Sequence, residues 1–137
     1  MTTEALVRRF YDELWNRFDK TLIPELLTDD VTFRGSLGRH AVGHADFGAY
    51  MDLIHDAFPD FHNRIDELIV DAVGQSVFAR LHYQGTHDGE LFGVAATGRV
   101  VAYEGAARFE TRGGRIADIW VLGDLHGLMG QLRAETH

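Results

Sequence analysis

The sequence contains no cysteine, and this absence excludes several kinds of chemistry at once. A disulfide framework, a thiolate nucleophile and a cysteine-based zinc site are all impossible. Long apolar runs are missing too, since no stretch approaches the roughly 18 residues that a membrane-spanning helix requires. We therefore expect neither a disulfide-stapled fold nor a membrane partner.

Positive charge is also scarce. The chain carries 13 Lys and Arg against 21 Asp and Glu, which gives a formal net charge of −8 at pH 7. Such a surface repels phosphate backbones, so we expect no nucleic acid partner. The first five residues do not form a basic segment that leads into an apolar run. We therefore expect no signal peptide, and a cytoplasmic protein.

Apolar residues, in contrast, are plentiful. They make up 45% of the 137 residues, which is enough for a substantial core. A chain of this length fits one domain, here residues 1–137, and such a domain buries about two thirds of its unfolded surface.

Apolar side chains recur with a helical period in the first sixty residues. One stripe runs from Val7 to Phe18, and another runs from Phe47 to Phe58, where Pro59 stops the helix. The patterns predict a first helix through residues 7–18, a short helix over 21–27, a turn at 28–30, a strand over 31–34, a loop over 35–43 and a helix over roughly 44–57.

After Pro59 the period changes to two, which is typical of strands. We predict strands over residues 61–71, 76–87, 99–112 and 115–122, a final helix over 124–132 with Asp124 as its N-cap, and a frayed tail over 133–137. Helices followed by a strand meander indicate an α+β fold, with the helices packed on one face of a curved sheet. Such a sheet can enclose a conical cavity.

Four stretches of the sequence, taken in order, resemble one family. They are residues 10–16 (FYDELWN), 57–61 (AFPDF), 85–93 (GTHDGELFG) followed by 97–99 (TGR), and 114–120 (GRIADIW) followed by Asp124, Gln131 and Leu132. Together they resemble the SnoaL-like polyketide cyclases, also called ester cyclases, of the nuclear-transport-factor-like superfamily. The resemblance covers nearly the whole chain. It implies a cone-shaped, curved antiparallel sheet with the N-terminal helices packed over its concave face.

The resemblance also indicates which positions surround the substrate. In the polyketide cyclases an aspartate on the last strand is the acid/base for an intramolecular aldol closure, and a histidine and a glutamine lie near it. The corresponding residues here are Val121, Ala107 and Gly105. If Val121 and Ala107 face the cavity, the alternation of the strands predicts the remaining wall. The predicted pocket residues are Phe10, Leu14, Tyr50, Ile54, Leu81, Gly105, Ala107, Ile119 and Val121.

Three residues are candidates for catalysis. Tyr83 and Tyr103 could donate hydrogen bonds to a bound carbonyl, or they could be amphipathic aromatic residues whose hydroxyls are satisfied within the protein. His87 could act as a general base at the cavity rim, but a plain turn residue is the favoured interpretation. Arg34 could clamp a carboxylate, or it could form an exposed salt bridge.

We predict no metal and no cofactor. His40 and His44 have i, i+4 spacing, but no third ligand accompanies them in sequence. No glycine-rich loop has the strand–helix context of a nucleotide site. On the opposite face of the sheet, the resemblance implies a homodimer interface that includes Arg80, His82, Arg108 and Trp120.

Two functional hypotheses remain open. The first is a cofactor-free cyclase, isomerase or hydrolase that folds an apolar polyketide-, terpenoid- or ester-like substrate in the pocket. The second is a module that binds a small apolar molecule without converting it. An ionisable group with a perturbed pKa in the pocket would favour the enzyme, whereas hydroxyl donors alone would favour binding.

Overall fold

The helices cover one side of the molecule and include an unusual first segment. The computed structural model describes residues 1–134, so positions 135–137 of the predicted tail lie outside the described residues. The helical elements are α1 (Thr3–Arg9), a π-helical segment (Phe10–Trp15), a 3₁₀ turn (Lys20–Leu22), α2 (Ile23–Leu26), α3 (Gly43–Ala57) and α4 (Leu125–Leu132). Asp124 caps α4 as predicted, since its carboxylate accepts a hydrogen bond from the Gly127 amide.

The first predicted helix is therefore two segments of different pitch. Thr2 caps α1 by accepting a hydrogen bond from the Ala5 amide, and the chain then widens into the π-helical segment. Four of the six residues in that segment are buried, namely Phe10, Tyr11, Leu14 and Trp15. A π-helical turn is rare and often marks a functional site.

The strands form one curved, six-stranded sheet. They are β1 (Leu27–Arg34), β2 (His40–Val42), β3 (His62–Val70), β4 (Ser76–Thr86), β5 (Val100–Arg112) and β6 (Arg115–Gly123), in the order β2-β1-β6-β5-β4-β3. The register shifts in the β3–β4 and β5–β6 pairs, and such irregularities increase the local twist and bend. The α+β fold is confirmed.

The structure corrects three details of the predicted sheet. It is mixed rather than fully antiparallel, because β1 runs parallel to β6. The predicted turn at residues 28–30 belongs to β1, where the exposed Asp29 and Asp30 conceal the strand pattern. The predicted loop over 35–43 contains β2, a three-residue edge strand too short for a periodic signal.

The core lies between the helices and the inner face of the sheet. Phe109 on β5 is fully buried there, and its ring centroid lies 5.3 Å from that of Phe10 and 5.8 Å from that of Tyr11. The alternation predicted for β4 is observed, with Val77 buried and Phe78 exposed.

The outer face of the sheet carries the residues of the predicted dimer interface. Arg80, Arg108 and Trp120 are exposed there, and His82 is half-buried. The Arg34 guanidinium lies 5.9 Å from the centroid of the Trp120 ring. Dimerisation through this face stays a prediction. No helix among residues 1–134 is long and apolar enough to cross a membrane.

Phe109→Ala should lower the free energy of unfolding by about 3–5 kcal/mol, because it leaves a cavity at the contact between helices and sheet. Phe78→Ala is the matched control on the neighbouring strand; its side chain is already exposed, so its cost should stay below about 1 kcal/mol. Urea denaturation of both variants measures the difference. Equal losses would contradict this placement of the core.

Candidate functional site

A small cavity lies where the π-helical segment and α3 meet the sheet. It has a volume of about 20 Å³, measured for the centre of a water-sized sphere. That is room for about one water molecule. Its walls are formed by Phe10, Tyr11, Trp15, Phe33, Ser36, Tyr50, Ile54, Phe61, Asn63, Tyr83 and Val121. We call it the tyrosine cavity.

All four tyrosines of the chain converge at this cavity. Tyr11 comes from the π-helical segment, Tyr50 from α3 and Tyr83 from β4, and all three line the wall. Tyr103 on β5 stands behind Tyr83, with 4.8 Å between the ring centroids. Its hydroxyl lies 3.1 Å from the Ser36 hydroxyl, which faces the cavity.

Two glycines allow the rings to approach so closely. A Cβ atom on Gly105 would lie 2.5 Å from a Tyr83 ring carbon, and one on Gly35 would lie 2.3 Å from the Tyr50 hydroxyl. Both distances are far below van der Waals contact. The absence of side chains at these positions therefore lets Tyr83 and Tyr50 take up the space above the backbone.

The Tyr11 hydroxyl is buried and has no hydrogen-bond partner among the described residues. The Tyr83 hydroxyl lies close enough to oppose the rise in the pKa of Tyr11, yet the two hydroxyls do not reach hydrogen-bonding distance and angle. A buried hydroxyl without a partner is uncommon and needs an explanation. Here it is a donor at the wall of the cavity, free to bind a ligand.

Burial raises the pKa of every tyrosine at the site. The rise in pKa is largest for Tyr11 and Tyr83. Burial also raises the pKa of Tyr103, and in all three cases the neighbouring tyrosines add to the rise, because two ionised phenols so close together would repel each other. Burial raises the pKa of Tyr50 too, although the Ser36 hydroxyl opposes the shift. All four therefore remain neutral near pH 7 and act as hydrogen-bond donors rather than as bases.

Asn63 supplies an acceptor beside these donors. The side-chain oxygen of Asn16 accepts hydrogen bonds from the backbone amide of Asn63 at 2.8 Å and from its side-chain nitrogen at 3.1 Å. The side-chain nitrogen of Asn16 in turn donates to the Asn63 carbonyl at 2.9 Å. This network fixes the amide orientation and leaves the Asn63 side-chain oxygen for the cavity that the residue lines.

The predicted pocket residues fall into three groups. Phe10, Tyr50, Ile54 and Val121 line the cavity. Gly105 lies under the Tyr83 ring. The remaining predicted pocket residues are buried in the core without forming part of this wall; they are Leu14, Leu81, Ala107 and Ile119.

Among the predicted catalytic residues, Tyr83 lines the cavity and Tyr103 reaches it through Ser36, whereas His87 lies elsewhere. His87 is fully buried, and its Nδ1 accepts a hydrogen bond from the Thr97 amide at 3.3 Å. Its backbone amide bonds the Arg99 carbonyl, so it organises the connection between β4 and β5. Its Nε2 has no hydrogen-bond partner among the described residues.

Other polar candidates are engaged in structural contacts. Arg34 donates a hydrogen bond to the Val121 carbonyl. His44 bonds the Leu27 carbonyl at 3.0 Å. Within residues 1–134 no group of three His, Cys, Asp or Glu side chains could hold a metal ion.

Sequence reasoning missed four residues of the wall, namely Phe33, Ser36, Phe61 and Asn63. Asn63 had one usable signal, since it sits at an inward position of a period-two strand, where a polar residue is unusual. Tyr11 and Trp15, which lie within the first helical stripe, also line the cavity.

The pH dependence of stability should report on this cluster. The unfolded chain loses phenolic protons near its ordinary pKa of about 10, whereas the folded chain retains them. The free energy of unfolding should therefore be constant with respect to these groups below pH 10 and fall above it. Absorbance at about 295 nm should show tyrosinate only as the protein unfolds. A folded protein that titrates near pH 10 would contradict the burial of the cluster.

Comparison with solved structures supports the fold. A protein of Jannaschia sp. CCS1, named as a SnoaL-like polyketide cyclase, has a TM-score of 0.87 at 21% identity, with 97% of this chain and 92% of that chain covered. A SnoaL-like polyketide cyclase of Agrobacterium tumefaciens has a TM-score of 0.81 at 18% identity, with 96% and 98% covered. TsrD of Streptomyces laurentii has a TM-score of 0.83 at 23% identity, with 96% and 95% covered.

Sequence comparison identifies the family. None of the curated proteins compared with the chain matches it. The family model for SnoaL-like polyketide cyclases, however, matches residues 5–132, which is nearly the entire sequence. Together with the α+β cone and its cavity, this match shows that the chain belongs to the SnoaL-like polyketide cyclase family.

Proposed function

We propose that the protein is a cofactor-free, cyclase-type enzyme that acts on a small, apolar carbonyl compound. The observation that carries the proposal is the Tyr11 hydroxyl, which is buried at the cavity wall and has no hydrogen-bond partner in the part of the chain that the structure describes. A carbonyl oxygen of a ligand would accept its hydrogen bond. The apolar rings around it match a substrate with few polar groups.

The donors act on the electrophilic carbon of the substrate. Neutral phenols of Tyr11 and Tyr83 polarise its carbonyl and stabilise the negative charge that develops on oxygen as a new bond forms. The Asn63 side-chain oxygen accepts a hydrogen bond from the enol hydroxyl and so orients the attacking carbon. As the new carbon–carbon bond forms, the enol becomes a ketone and its hydroxyl proton passes to the former carbonyl oxygen, which becomes a hydroxyl. Holding both ends of a flexible substrate together supplies the remaining acceleration.

The cavity restricts the substrate to compounds that enolise easily. Val121 occupies the position that the family resemblance assigns to the catalytic aspartate, and no carboxylate or imidazole belongs to the cavity wall described in residues 1–134. A weakly acidic carbon would need such a base. β-Dicarbonyl units, as in polyketide-like chains, already populate the enol and do not.

The same feature favours a second candidate function, a module that binds a carbonyl compound without converting it. A wall with hydroxyl donors and no carboxylate or imidazole would hold such a ligand well. The two candidates share the binding step and differ only in whether the ligand is recovered unchanged.

Thermal-shift screening tests binding and turnover together, with β-dicarbonyl compounds, lactones and terpenoid ketones each paired with an analogue that lacks the carbonyl. Ligands at about 100 times their Kd should stabilise the fold by about 2.7 kcal/mol. Mass analysis after incubation separates the candidates: a product of equal mass or one water lighter indicates cyclisation, and unchanged ligand indicates a binding module. Equal stabilisation by the carbonyl-free analogues would overturn both.

Ser36→Ala should weaken binding of a hit by about five- to tenfold, because the Tyr103 hydroxyl loses its partner beside the ligand. Ser76→Ala, at the start of β4, is the matched control and should bind normally. Isothermal titration calorimetry measures both. A similar loss in the two variants would place the ligand outside the tyrosine cavity.

A further inference from the structure

A second pocket adjoins the tyrosine cavity on the side where α3 leads into β3. Its volume is about 120 Å³ on the same measure, against about 20 Å³ for the tyrosine cavity. We call it the outer pocket. It is lined by Trp15, Asn16, Phe18, Ile54, His55, Pro59, Asp60, Phe61 and His62.

The two spaces share part of their walls. Trp15, Ile54 and Phe61 line both, so only these side chains separate them. The hydrogen bonds between Asn16 in the outer pocket and Asn63 in the tyrosine cavity tie the two together. A substrate larger than a water molecule needs more room than the tyrosine cavity offers, and the adjoining space provides it.

Phe61 is the most exposed of the three shared side chains. Trp15 and Ile54 are buried at 8% and 2% exposure, whereas Phe61 is only half-buried. Its ring stacks on Tyr83 with centroids 5.7 Å apart. The backbone beside it is anchored, because both carboxylate oxygens of Asp60 accept hydrogen bonds from Thr86. A change of the Phe61 side-chain rotamer alone would therefore connect the two spaces.

The outer pocket presents polar groups that the tyrosine cavity lacks. Both oxygens of Asp60 accept hydrogen bonds from Thr86. Of the two histidines that line the pocket, His62 is exposed to solvent, whereas His55 is half-buried and therefore the better placed to bind a ligand. Phe18 stacks on the His55 ring with centroids 4.0 Å apart. Phe18 adopts a left-handed backbone with φ of 50°, a conformation uncommon for a bulky residue. Strain of this kind persists where the surroundings fix it, and it clusters at ligand sites.

We propose that the outer pocket is the second half of the substrate site and binds the hydroxyl-bearing end of an elongated ketone. The carbonyl end passes Phe61 and reaches the tyrosines, while His55 hydrogen-bonds the hydroxyl. Binding of the carbonyl by the tyrosines rests on the proposed function, whereas binding of the hydroxyl in the outer pocket is additional to it. The substrate class is thus a two-ring or similarly elongated hydroxyketone.

The test uses the full chain with Trp120→Phe, so that Trp15 on the shared wall is the one remaining tryptophan. Its fluorescence reports binding of 1-tetralone and of the 6-hydroxy and 7-hydroxy derivatives. At least one hydroxyketone should bind about tenfold more tightly than 1-tetralone, as expected for one added hydrogen bond. His55→Phe, which keeps an aromatic ring against Phe18, should abolish that advantage. His126→Phe on α4 is the matched control and should preserve it.

A second variant tests the route between the two spaces. Phe61→Ala removes this side chain from the partition, so stopped-flow association of 1-tetralone should become at least about tenfold faster. Phe92→Ala, an exposed phenylalanine outside both pockets, is the control for general loosening. An unchanged association rate in Phe61→Ala would overturn the connection.

The outcomes separate this proposal from the one on which it rests. If 1-tetralone binds, if Tyr11→Phe weakens its binding, and if neither hydroxyl adds affinity, the outer pocket does not bind the hydroxyl, and the tyrosine cavity stands as the carbonyl site. A hydroxyl advantage that survives His55→Phe also overturns the assignment of His55. Failure of all three ketones to bind at millimolar concentration contradicts both proposals.

Discussion

The organisation of this protein depends on four phenol groups that must lie in one apolar interior with almost no water. Burying a hydroxyl group destabilises the folded state unless the hydroxyl forms a hydrogen bond, and few hydrogen-bond partners lie near these phenols. The Tyr103 hydroxyl pairs with that of Ser36, whereas the Tyr11 hydroxyl has no hydrogen-bond partner within residues 1–134. The π-helical segment, the glycines under the rings and the Asn16–Asn63 pair all serve this arrangement. The site is thus a set of neutral donors held in place by packing.

This arrangement differs in kind from a site built on a charged acid/base. A carboxylate at the centre of the cone would bring its own charge and could extract a proton from carbon. Phenols whose pKa values are raised by burial cannot do so, but they can withstand a dry environment and strengthen as donors when water is excluded. Chemistry in such a pocket relies on the shape and prior reactivity of the substrate.

Much of the architecture could be predicted from sequence because the patterns were long. The strands around residues 76–87 and 99–112 have many alternating positions, so their inward faces were assigned correctly, Tyr83 and Tyr103 included. Prediction failed for short or irregular elements, because β2 has only three residues and the two adjacent aspartates in β1 resemble a turn sequence. No local pattern indicated that Tyr11 and Asn63 would line the same cavity. Their proximity depends on how the π-helical segment and β3 come together, which periodicity along one segment does not encode.

The pairing of Tyr83 with Gly105 has a consequence for how such a protein could change over evolutionary time. The family resemblance assigns a glutamine to position 105, and the Tyr83 ring already occupies the space that even a methyl group there would need. Restoring the glutamine first would therefore force two side chains into one volume. Tyr83 has to become small before position 105 becomes large, so the order of mutations matters. A phenol-lined pocket and an acid/base-lined pocket are therefore not connected by substitutions made in any order. An intermediate with a large side chain at position 105 and Tyr83 still in place would be destabilised by the steric clash.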